Sequence, residues 1–315
     1  MTPFELIPPI KDYIWGGTKL REEFGKVSSL DRLAESWELS CHKDGMSIVR
    51  DGEFAGQSLA DVIRNNPEIL GGGRTALPVL VKLIDAKNDL SVQVHPDDAY
   101  AQANEGDNGK TEMWYIVDCE PGAELIYGFA RDITKEEFRR AIGENTLLDC
   151  VNRVPVKKGD VFFITPGTLH AIGKGILIAE IQQNSNVTYR VYDYGRLGAD
   201  GKPRELHVDK AVEVTKTERS VPYRTEDPIV CGGAVLTRLA KCGYFTVVKA
   251  DVRDEISLDD TAENSFVHIL CVDGEGVLTY SGGEAAFKKG SSLFVPAGTK
   301  GCNIKGKCCV IATSL

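Results

Sequence analysis

The chain has 315 residues, 42% of them hydrophobic and 26% charged, and a formal net charge of −9. These values are ordinary for a globular protein of about two domains, and the negative charge argues against a nucleic-acid or anionic-membrane partner. The nine cysteines are scattered, the first 15 residues do not form a signal peptide, and no apolar run approaches the roughly 20 residues needed to span a bilayer. We therefore expect a cytoplasmic protein.

The N-terminal third predicts strands and one short helix. Residues 34–40 alternate as in a strand. Ser58 and Asp61 have the spacing of a capping box, which predicts a helix from there to about Asn65. Residues 77–84 form an apolar strand whose one charged side chain is Lys82. That lysine is either a snorkelling residue at a sheet edge or a contact to a phosphate group.

The next segment, residues 91–95, is a predicted strand with polar side chains on one face. Its alternation places Ser91, Gln93 and His95 together, opposite two valines. Burying a hydroxyl, an amide and an imidazole is costly unless they meet a partner. The pattern therefore marks this strand as a candidate functional element.

The following predicted strand, residues 112–117, begins with the polar residue Glu112. It is separated from the first strand by a predicted helix, residues 97–105, with acidic residues near its start. If the two strands are neighbours, Glu112 lies close to Gln93 and His95. The three side chains are then potential metal ligands.

The rest of the chain is mostly strands. A capping-box spacing at Thr134 predicts a helix to about Ile142. Further predicted strands are residues 156–165, 176–183 and 187–194, followed by several short strands in 235–315 with glycine-rich turns at 273–276 and 281–283. Many short strands and few helices indicate a mainly β sandwich or barrel.

Two segments of the chain repeat each other. Residues 156–170 and 287–301 both read apolar-Lys-Lys-Gly, then an apolar strand, a proline turn and Gly-Thr. Aligned without gaps, His170 of the first falls on Gly301 of the second. Two copies of one β-unit, of which only the first carries ligand chemistry, explain the pattern.

The run from Gly159 through Pro166-Gly167 to His170 resembles the second signature of the cupin superfamily. That signature usually has one residue between the proline and the glycine, which are adjacent here. The resemblance implies a mainly β fold of two cupin domains, which are jelly-roll β-barrels, with a small helical portion. We expect residues 1–234 to form a catalytic, metal-binding cupin domain with short helical segments, and residues 235–315 to form a second, metal-free cupin domain.

Each candidate ligand has an ordinary alternative explanation. His95 alone fits a buried core histidine, Glu112 a salt-bridge partner, and His170 a loop histidine. Their combination with Gln93 favours a metal, because imidazoles and a carboxylate without cysteine suit Zn²⁺ or another divalent ion. Open coordination positions on such an ion make it catalytic rather than structural.

Three segments resemble the short bacterial form of the type I phosphomannose isomerase family, and the resemblance covers nearly the whole chain. They are Leu-Ser-Val-Gln-Val-His-Pro-Asp at 90–97, Lys-Thr-Glu-Met-Trp at 110–114, and the run 182–193. The resemblance implies that the chain interconverts mannose 6-phosphate and fructose 6-phosphate by proton transfer through an enediol(ate). It also implies one zinc ion per chain, with Gln93, His95, Glu112 and His170 as its ligands. The essential arginine of the family corresponds to Arg190.

Longer members of the family differ in two places. They have Lys-Pro-Glu where this chain has Lys110-Thr111-Glu112, which keeps both charged groups. They also carry a larger helical insertion, of which only the short helix predicted from Thr134 remains here.

The chemistry suggests further roles. Arg190 supplies a fixed cation for developing oxyanion charge, unless it is the ion-pair partner of Asp193 or of a nearby glutamate. Lys110 is expected to be catalytic, contacting substrate oxygens or the base. Ser91 and Lys82 are candidate contacts to the substrate phosphate.

Two alternative functions remain at this level. A cupin oxygenase that uses iron usually offers His-x-His, where this chain has Gln93-x-His95. A non-enzymatic sugar-phosphate binder on the same fold is the other alternative. The expected partner is a small-molecule sugar phosphate substrate, with no nucleic acid or membrane partner, and the oligomeric state is not predicted.

Overall fold

The computed structural model describes residues 1–198, 201–221 and 223–315. Within these ranges the mainly β prediction is confirmed, because strands far outnumber helices. The strands are β1 (Phe4–Ile7), β2 (Ile10–Lys11), β3 (Glu35–Leu39), β4 (Cys41–His42), β5 (Gly45–Met46), β6 (Ile48–Val49), β7 (Val79–Ala86), β8 (Val92–Val94), β9 (Glu112–Cys119), β10 (Glu124–Phe129), β11 (Val151–Pro155), β12 (Val161–Ile164), β13 (His170–Ala171), β14 (Ile176–Gln183), β15 (Tyr189–Tyr192), β16 (Ile229–Cys231), β17 (Ala234–Lys241), β18 (Thr246–Val252), β19 (Glu255–Ser257), β20 (Val267–Tyr280), β21 (Gly283–Lys288), β22 (Ser292–Val295) and β23 (Asn303–Ser314).

The helices are short. They are α1 (Lys19–Glu22), α2 (Leu59–Asn65), α3 (Asp98–Glu105), α4 (Lys135–Gly143), α5 (Val208–Val214) and α6 (Asp259–Ala262), with 3₁₀ turns at Gly52–Phe54, Pro67–Leu70 and Leu147–Asp149. In the described part of the chain, no helix has the length and apolarity to cross a membrane.

The predicted capping residues begin their helices. Ser58 Oγ accepts the Asp61 N–H at 3.1 Å before α2, and Thr134 Oγ1 accepts the Glu137 N–H at 3.0 Å before α4. These bonds satisfy backbone donors that have no partner inside the helix. Both predicted helix starts are therefore confirmed.

The chain divides into two compact units. The first unit comprises residues 1–11, 18–83 and 224–315, and the second comprises residues 12–17 and 84–223. The predicted division into domains 1–234 and 235–315 stays a prediction.

The first unit contains a large antiparallel sheet. Its strand order is β16-β17-β18-β23-β20-β22-β1-β6, with β19 and β21 paired to β23 and β20. The side chains of Ile269, Leu293 and Val310 belong to the apolar cluster that fills its core. This packing explains the alternation of apolar residues through the last 80 positions.

One predicted turn of this unit is wrong. Residues 273–276 lie inside the long strand β20 rather than between two strands. The strand register shifts between Cys271 and Asp273, and Gly274 has a φ of 72°. A Cβ at Gly274 would lie 2.1 Å from the Lys307 carbonyl oxygen. The glycine therefore marks a bulge and a close strand approach, not a chain reversal.

The internal repeat is visible in backbone conformation. Gly159 and Gly290, which end the two Lys-Lys-Gly turns, have φ angles of 93° and 90°. Gly167 and Gly298, after the two proline turns, have φ angles of 84° and 81°. Glycine suits all four positions because side chains disfavour positive φ. The two copies thus share turns as well as sequence.

Strand register shows how the copies differ. Ile164 on β12 lies opposite Glu112, and its repeat equivalent, Val295 on β22, lies opposite Val267. The second copy therefore has a valine where the first has the candidate carboxylate ligand.

The second unit contains two sheets. One has the order β11-β10-β13-β8-β15, and the strands β12-β9-β14 belong to the other. Strands β8 and β9 therefore lie in different sheets, so the condition that they are neighbours, considered from the sequence, is not met. Each of them is already flanked on both sides, β8 by β13 and β15, and β9 by β12 and β14.

A buried histidine of the first unit gives a stability prediction. Ser292 Oγ donates its hydrogen to the Glu38 carbonyl oxygen at 2.8 Å, so the His268 Nε2–H donates to Ser292 Oγ, also at 2.8 Å. Burial, with a smaller effect from Lys26, lowers the pKa of His268 to about 3. The unfolded chain therefore takes up a proton below pH 6.5 that the folded chain does not.

We expect the free energy of unfolding to fall as the pH drops from 6.5 towards 3. For His268 alone the loss between pH 7 and pH 5 is about 2 kcal/mol, because the unfolded state binds more protons in this window. Urea unfolding at both pH values should show this loss in the wild type and lack that part of it in His268→Asn. Identical pH dependence in the two proteins would contradict the prediction.

Candidate metal centre

The alternation predicted for β8 places its side chains on two different faces. Val92 and Val94 pack in an apolar cluster with Phe138 of α4 and Ala211 of α5. Gln93 therefore points to the opposite face of the sheet.

Three polar side chains form a row across this second face. Gln93 lies in the middle, with His170 on β13 opposite it on one side and Arg190 on β15 opposite it on the other. Residues directly opposite in an antiparallel pair lie on the same face of the sheet. Strand pairing thus brings together three residues that are far apart in sequence.

The candidate ligand atoms lie close together in the interior. His95 Nε2 and His170 Nε2 are 3.2 Å apart, and they lie 3.6 and 3.4 Å from the two carboxylate oxygens of Glu112. The side-chain amide of Gln93 is 3.5 Å from His170 Nε2. His95, Glu112 and His170 are all buried, and each can offer one ligand atom within 4.8 Å of the others.

Hydrogen bonds to carbonyl oxygens set the orientation of both imidazoles. His95 Nδ1 lies 2.8 Å from the Val187 carbonyl oxygen, and His170 Nδ1 lies 2.8 Å from that of Thr168. A carbonyl only accepts, so each Nδ1 donates and each Nε2 directs a lone pair into the site. Burial lowers the pKa of His170 to about 4, which keeps this ring neutral at pH 7.

This arrangement fits a metal cation. Two imidazole lone pairs and a buried carboxylate converge, and such acceptors repel one another unless positive charge, from a metal ion or from the neighbouring Lys110 ammonium, lies beside them. The nitrogen and oxygen donors suit zinc or a similar divalent ion. Three of the four predicted ligands are thus brought together with the fourth beside them, and their role as ligands stays a prediction.

Lys110 lies at the edge of this group. Its Nζ is 2.7 Å from Glu112 Oε2, 3.3 Å from His95 Nε2 and 3.8 Å from Glu180 Oε1. The other oxygen of Glu180 accepts the indole N–H of Trp114 at 2.8 Å. The site therefore holds a buried ammonium group between two carboxylates.

Arg190, on β15, is the end member of this row. Its Nε donates to Ser91 Oγ at 3.3 Å, and its Nη1 donates to the Glu205 carbonyl oxygen at 3.0 Å. The carboxylate of Asp193 is bound by Arg204 and Arg196 instead. The guanidinium of Arg190 thus lies outside that ion-pair cluster, next to the candidate phosphate ligand Ser91.

Lys82 belongs to the first unit. Its Nζ lies 3.6 Å from Glu35 Oε2 and 5.0 Å from the ring centroid of Trp37. The side chain is 4% exposed, so its interpretation as a snorkelling residue at a sheet edge is wrong. The assignment of Lys82 to the substrate phosphate stays a prediction.

Sequence reasoning missed the groups that orient the site. The carbonyl oxygens of Val187 and Thr168 could not be identified from the sequence, because every residue has a backbone carbonyl group. Gln183, which is buried and hydrogen-bonded to the backbone beside Lys110, did leave a signal. It forms a polar pair with Gln182 at the end of strand β14, whose only other polar side chain is Glu180.

Comparison with known proteins agrees with the motifs. Residues 4–136 match the model of the phosphomannose isomerase type I catalytic domain, and residues 235–315 match that of the mannose-6-phosphate isomerase cupin domain. The chain is 38% identical to the putative mannose-6-phosphate isomerase YvyI of Bacillus subtilis over 100% of this chain and 99% of that protein. It is 40% identical to the mannose-6-phosphate isomerase ManA of the same organism, over 96% of each chain.

Solved structures show the same fold. The mannose 6-phosphate isomerase of Bacillus subtilis is 38% identical, with a TM-score of 0.95 and full coverage of both chains. A putative mannosephosphate isomerase of Archaeoglobus fulgidus, at 22% identity and a TM-score of 0.74 over 99% of this chain and 97% of that chain, shares the fold. Sequence identity over the full length, the two matching models and the shared fold lead to one conclusion: the chain belongs to the type I phosphomannose isomerase family.

Proposed function

We propose that this protein interconverts mannose 6-phosphate and fructose 6-phosphate with one zinc ion per chain, held by Gln93, His95, Glu112 and His170. The observation that carries the proposal is the convergence of two imidazoles and a carboxylate beside the ammonium of Lys110 in a chain of this family. When bound, the zinc ion would supply Lewis-acid polarisation of substrate oxygens.

The reaction moves one proton between C1 and C2 of the sugar and one between their oxygens, with no net oxidation. It needs a proton acceptor, a proton donor and stabilisation of charge on two oxygens. Lys110 donates hydrogen bonds to the oxygens on which charge develops. Glu180, a carboxylate 3.8 Å from Lys110 Nζ, is the neighbouring group that can accept and return a proton.

The arginine and the phosphate contacts complete the assignment. Arg190 holds a delocalised cation where the enediolate oxygens develop charge, and its bond to Ser91 limits its motion. Ser91 and Lys82 are the proposed contacts to the phosphate group. Because Ser91 and Lys82 are buried and water has limited access to them, their electrostatic effects are stronger than at a surface.

The test uses carbon-13 NMR on [2-¹³C]mannose 6-phosphate incubated with the purified, zinc-loaded protein. We expect the labelled signal to move from the aldose C2 position to the ketose C2 position of fructose 6-phosphate, and the reverse reaction to occur with labelled fructose 6-phosphate. Substrate that binds without being converted would indicate a sugar-phosphate binder. Oxygen consumption with iron and no isomerisation with zinc would indicate an oxygenase.

A further inference from the structure

We propose that Gln183 is a positioning residue that fixes the backbone around Lys110 and thereby sets where its ammonium group lies. The inference rests on the proposed function, because it assigns Gln183 an effect on turnover through Lys110. Gln183 has no contact with the ligand atoms of His95, Glu112 or His170 among the described residues.

Gln183 forms hydrogen bonds with both the backbone N–H and the backbone carbonyl group of Thr111. Its Oε1 accepts the Thr111 N–H at 2.7 Å, and its own backbone N–H donates to the Thr111 carbonyl oxygen at 3.0 Å. Thr111 is the residue between Lys110 and Glu112. One side chain and one peptide group therefore fix the residue that joins the catalytic lysine to a candidate ligand.

The other end of the Gln183 amide extends this network. Its Nε2 donates to Asp98 Oδ1 at 2.9 Å, and the same oxygen accepts the Gly109 N–H at 2.8 Å. The residues on both sides of Lys110 are thus tied, directly or through Asp98, to Gln183. The Lys110 N–H itself donates to the Pro96 carbonyl oxygen at 3.0 Å.

Close packing leaves this segment little freedom to adjust. A Cβ at Gly109 would lie 2.3 Å from the carbonyl carbon of Asp97, so the loop passes directly against the start of α3. Gln183 is 4% exposed, so an unsatisfied polar group there is not rescued by bulk water. Loss of its amide would therefore shift the backbone or leave buried groups unpaired.

The chemistry of the contacts calls for an amide rather than a carboxylate. Gln183 accepts from the Thr111 N–H and donates to Asp98, which an amide can do and an ionised carboxylate, which only accepts, cannot. A glutamate would keep the acceptor but place two carboxylates against each other. This asymmetry explains why an amide side chain, that of Gln183, ends a strand whose other positions are mostly apolar.

Positioning matters because the ammonium group lies 2.7 Å from Glu112 and 3.8 Å from Glu180. A displacement of about 1 Å in a catalytic group can lower a rate about 100-fold. We therefore expect Gln183→Met, which keeps the length but removes both hydrogen bonds, to lower kcat about 30- to 100-fold. The KM and the zinc content should change less than about threefold, since Gln183 is not one of the proposed substrate contacts or metal ligands.

The matched control is Gln57→Met, the same substitution at an exposed amide of the first unit. It should change kcat less than about twofold, because surface substitutions away from functional groups have small effects. Gln183→Glu should lower kcat as Gln183→Met does, and it serves as the second variant if the methionine protein fails to fold.

A double-mutant cycle separates positioning from general structural damage. If Gln183 acts through Lys110, Gln183→Met in a Lys110→Met background should lower the remaining turnover less than about threefold. An equal loss in both backgrounds, or an unchanged kcat in the single variant, would overturn the inference. A wild-type protein without isomerase turnover would instead overturn the proposed function on which it rests.

Discussion

Replacing His170 with alanine is expected to abolish both metal binding and turnover. The change removes one of two imidazole lone pairs, so that only Glu112, His95 and Gln93 would remain of the four proposed ligands. Losing even an outer hydrogen-bond partner of a metal ligand typically costs 10- to 100-fold, so loss of a ligand should lower turnover by at least about 1,000-fold. Elemental analysis after dialysis should find less than about 0.1 zinc per chain, against about one in the wild type.

The matched control is His268→Asn, which removes another buried histidine. That residue lies in the first unit, bonded to Ser292, and the variant should keep full zinc content and turnover at pH 7.5. Circular dichroism of both variants checks that the fold is intact. Full zinc content and normal turnover in His170→Ala would remove this histidine from the proposed centre.

Replacing Arg190 should lower turnover while leaving the metal in place. Arg190→Ala removes a fixed cation from the position where oxyanion charge is proposed to develop, and removing one such donor costs about 100- to 1,000-fold in kcat. Arg190→Lys keeps the charge but loses the planar fork, so we expect a loss of about 10- to 100-fold. Zinc content should stay at about one per chain in both variants.

The control for this pair is Arg196→Lys. Arg196 binds Asp193, which Arg204 also binds, so the substitution leaves that carboxylate paired. We expect kcat to stay within about threefold of the wild type. Undiminished turnover in Arg190→Ala would contradict the role assigned to Arg190.

Helix starts and the two faces of a strand could be predicted from the sequence, because both depend on local chemistry. Ser58 and Thr134 begin helices because their hydroxyl groups accept backbone N–H groups that a helix start leaves unpaired. Alternation correctly separated Val92 and Val94 from Gln93, because opposite faces of one strand meet different environments.

The pairing of strands into sheets was harder to predict, because the alternation of residues within a strand does not show which strand lies beside it. For this reason the sequence could only raise the possibility that β8 and β9 are neighbours; they are not, although His95 and Glu112 still meet across two sheets. The supposed turn at Gly274 failed because a glycine that permits a bulge looks the same in sequence as one that permits a turn. Backbone acceptors such as the Val187 carbonyl oxygen cannot be predicted from residue type, because every residue has one.

The most direct test of the account is a zinc titration of the metal-free protein in the isomerase assay. After exhaustive chelation, turnover of mannose 6-phosphate should fall below about 1% of the untreated rate. Added zinc should restore it in proportion up to about one ion per chain, as a single site of four ligands requires. Full turnover in protein shown by elemental analysis to hold no divalent metal would contradict the account.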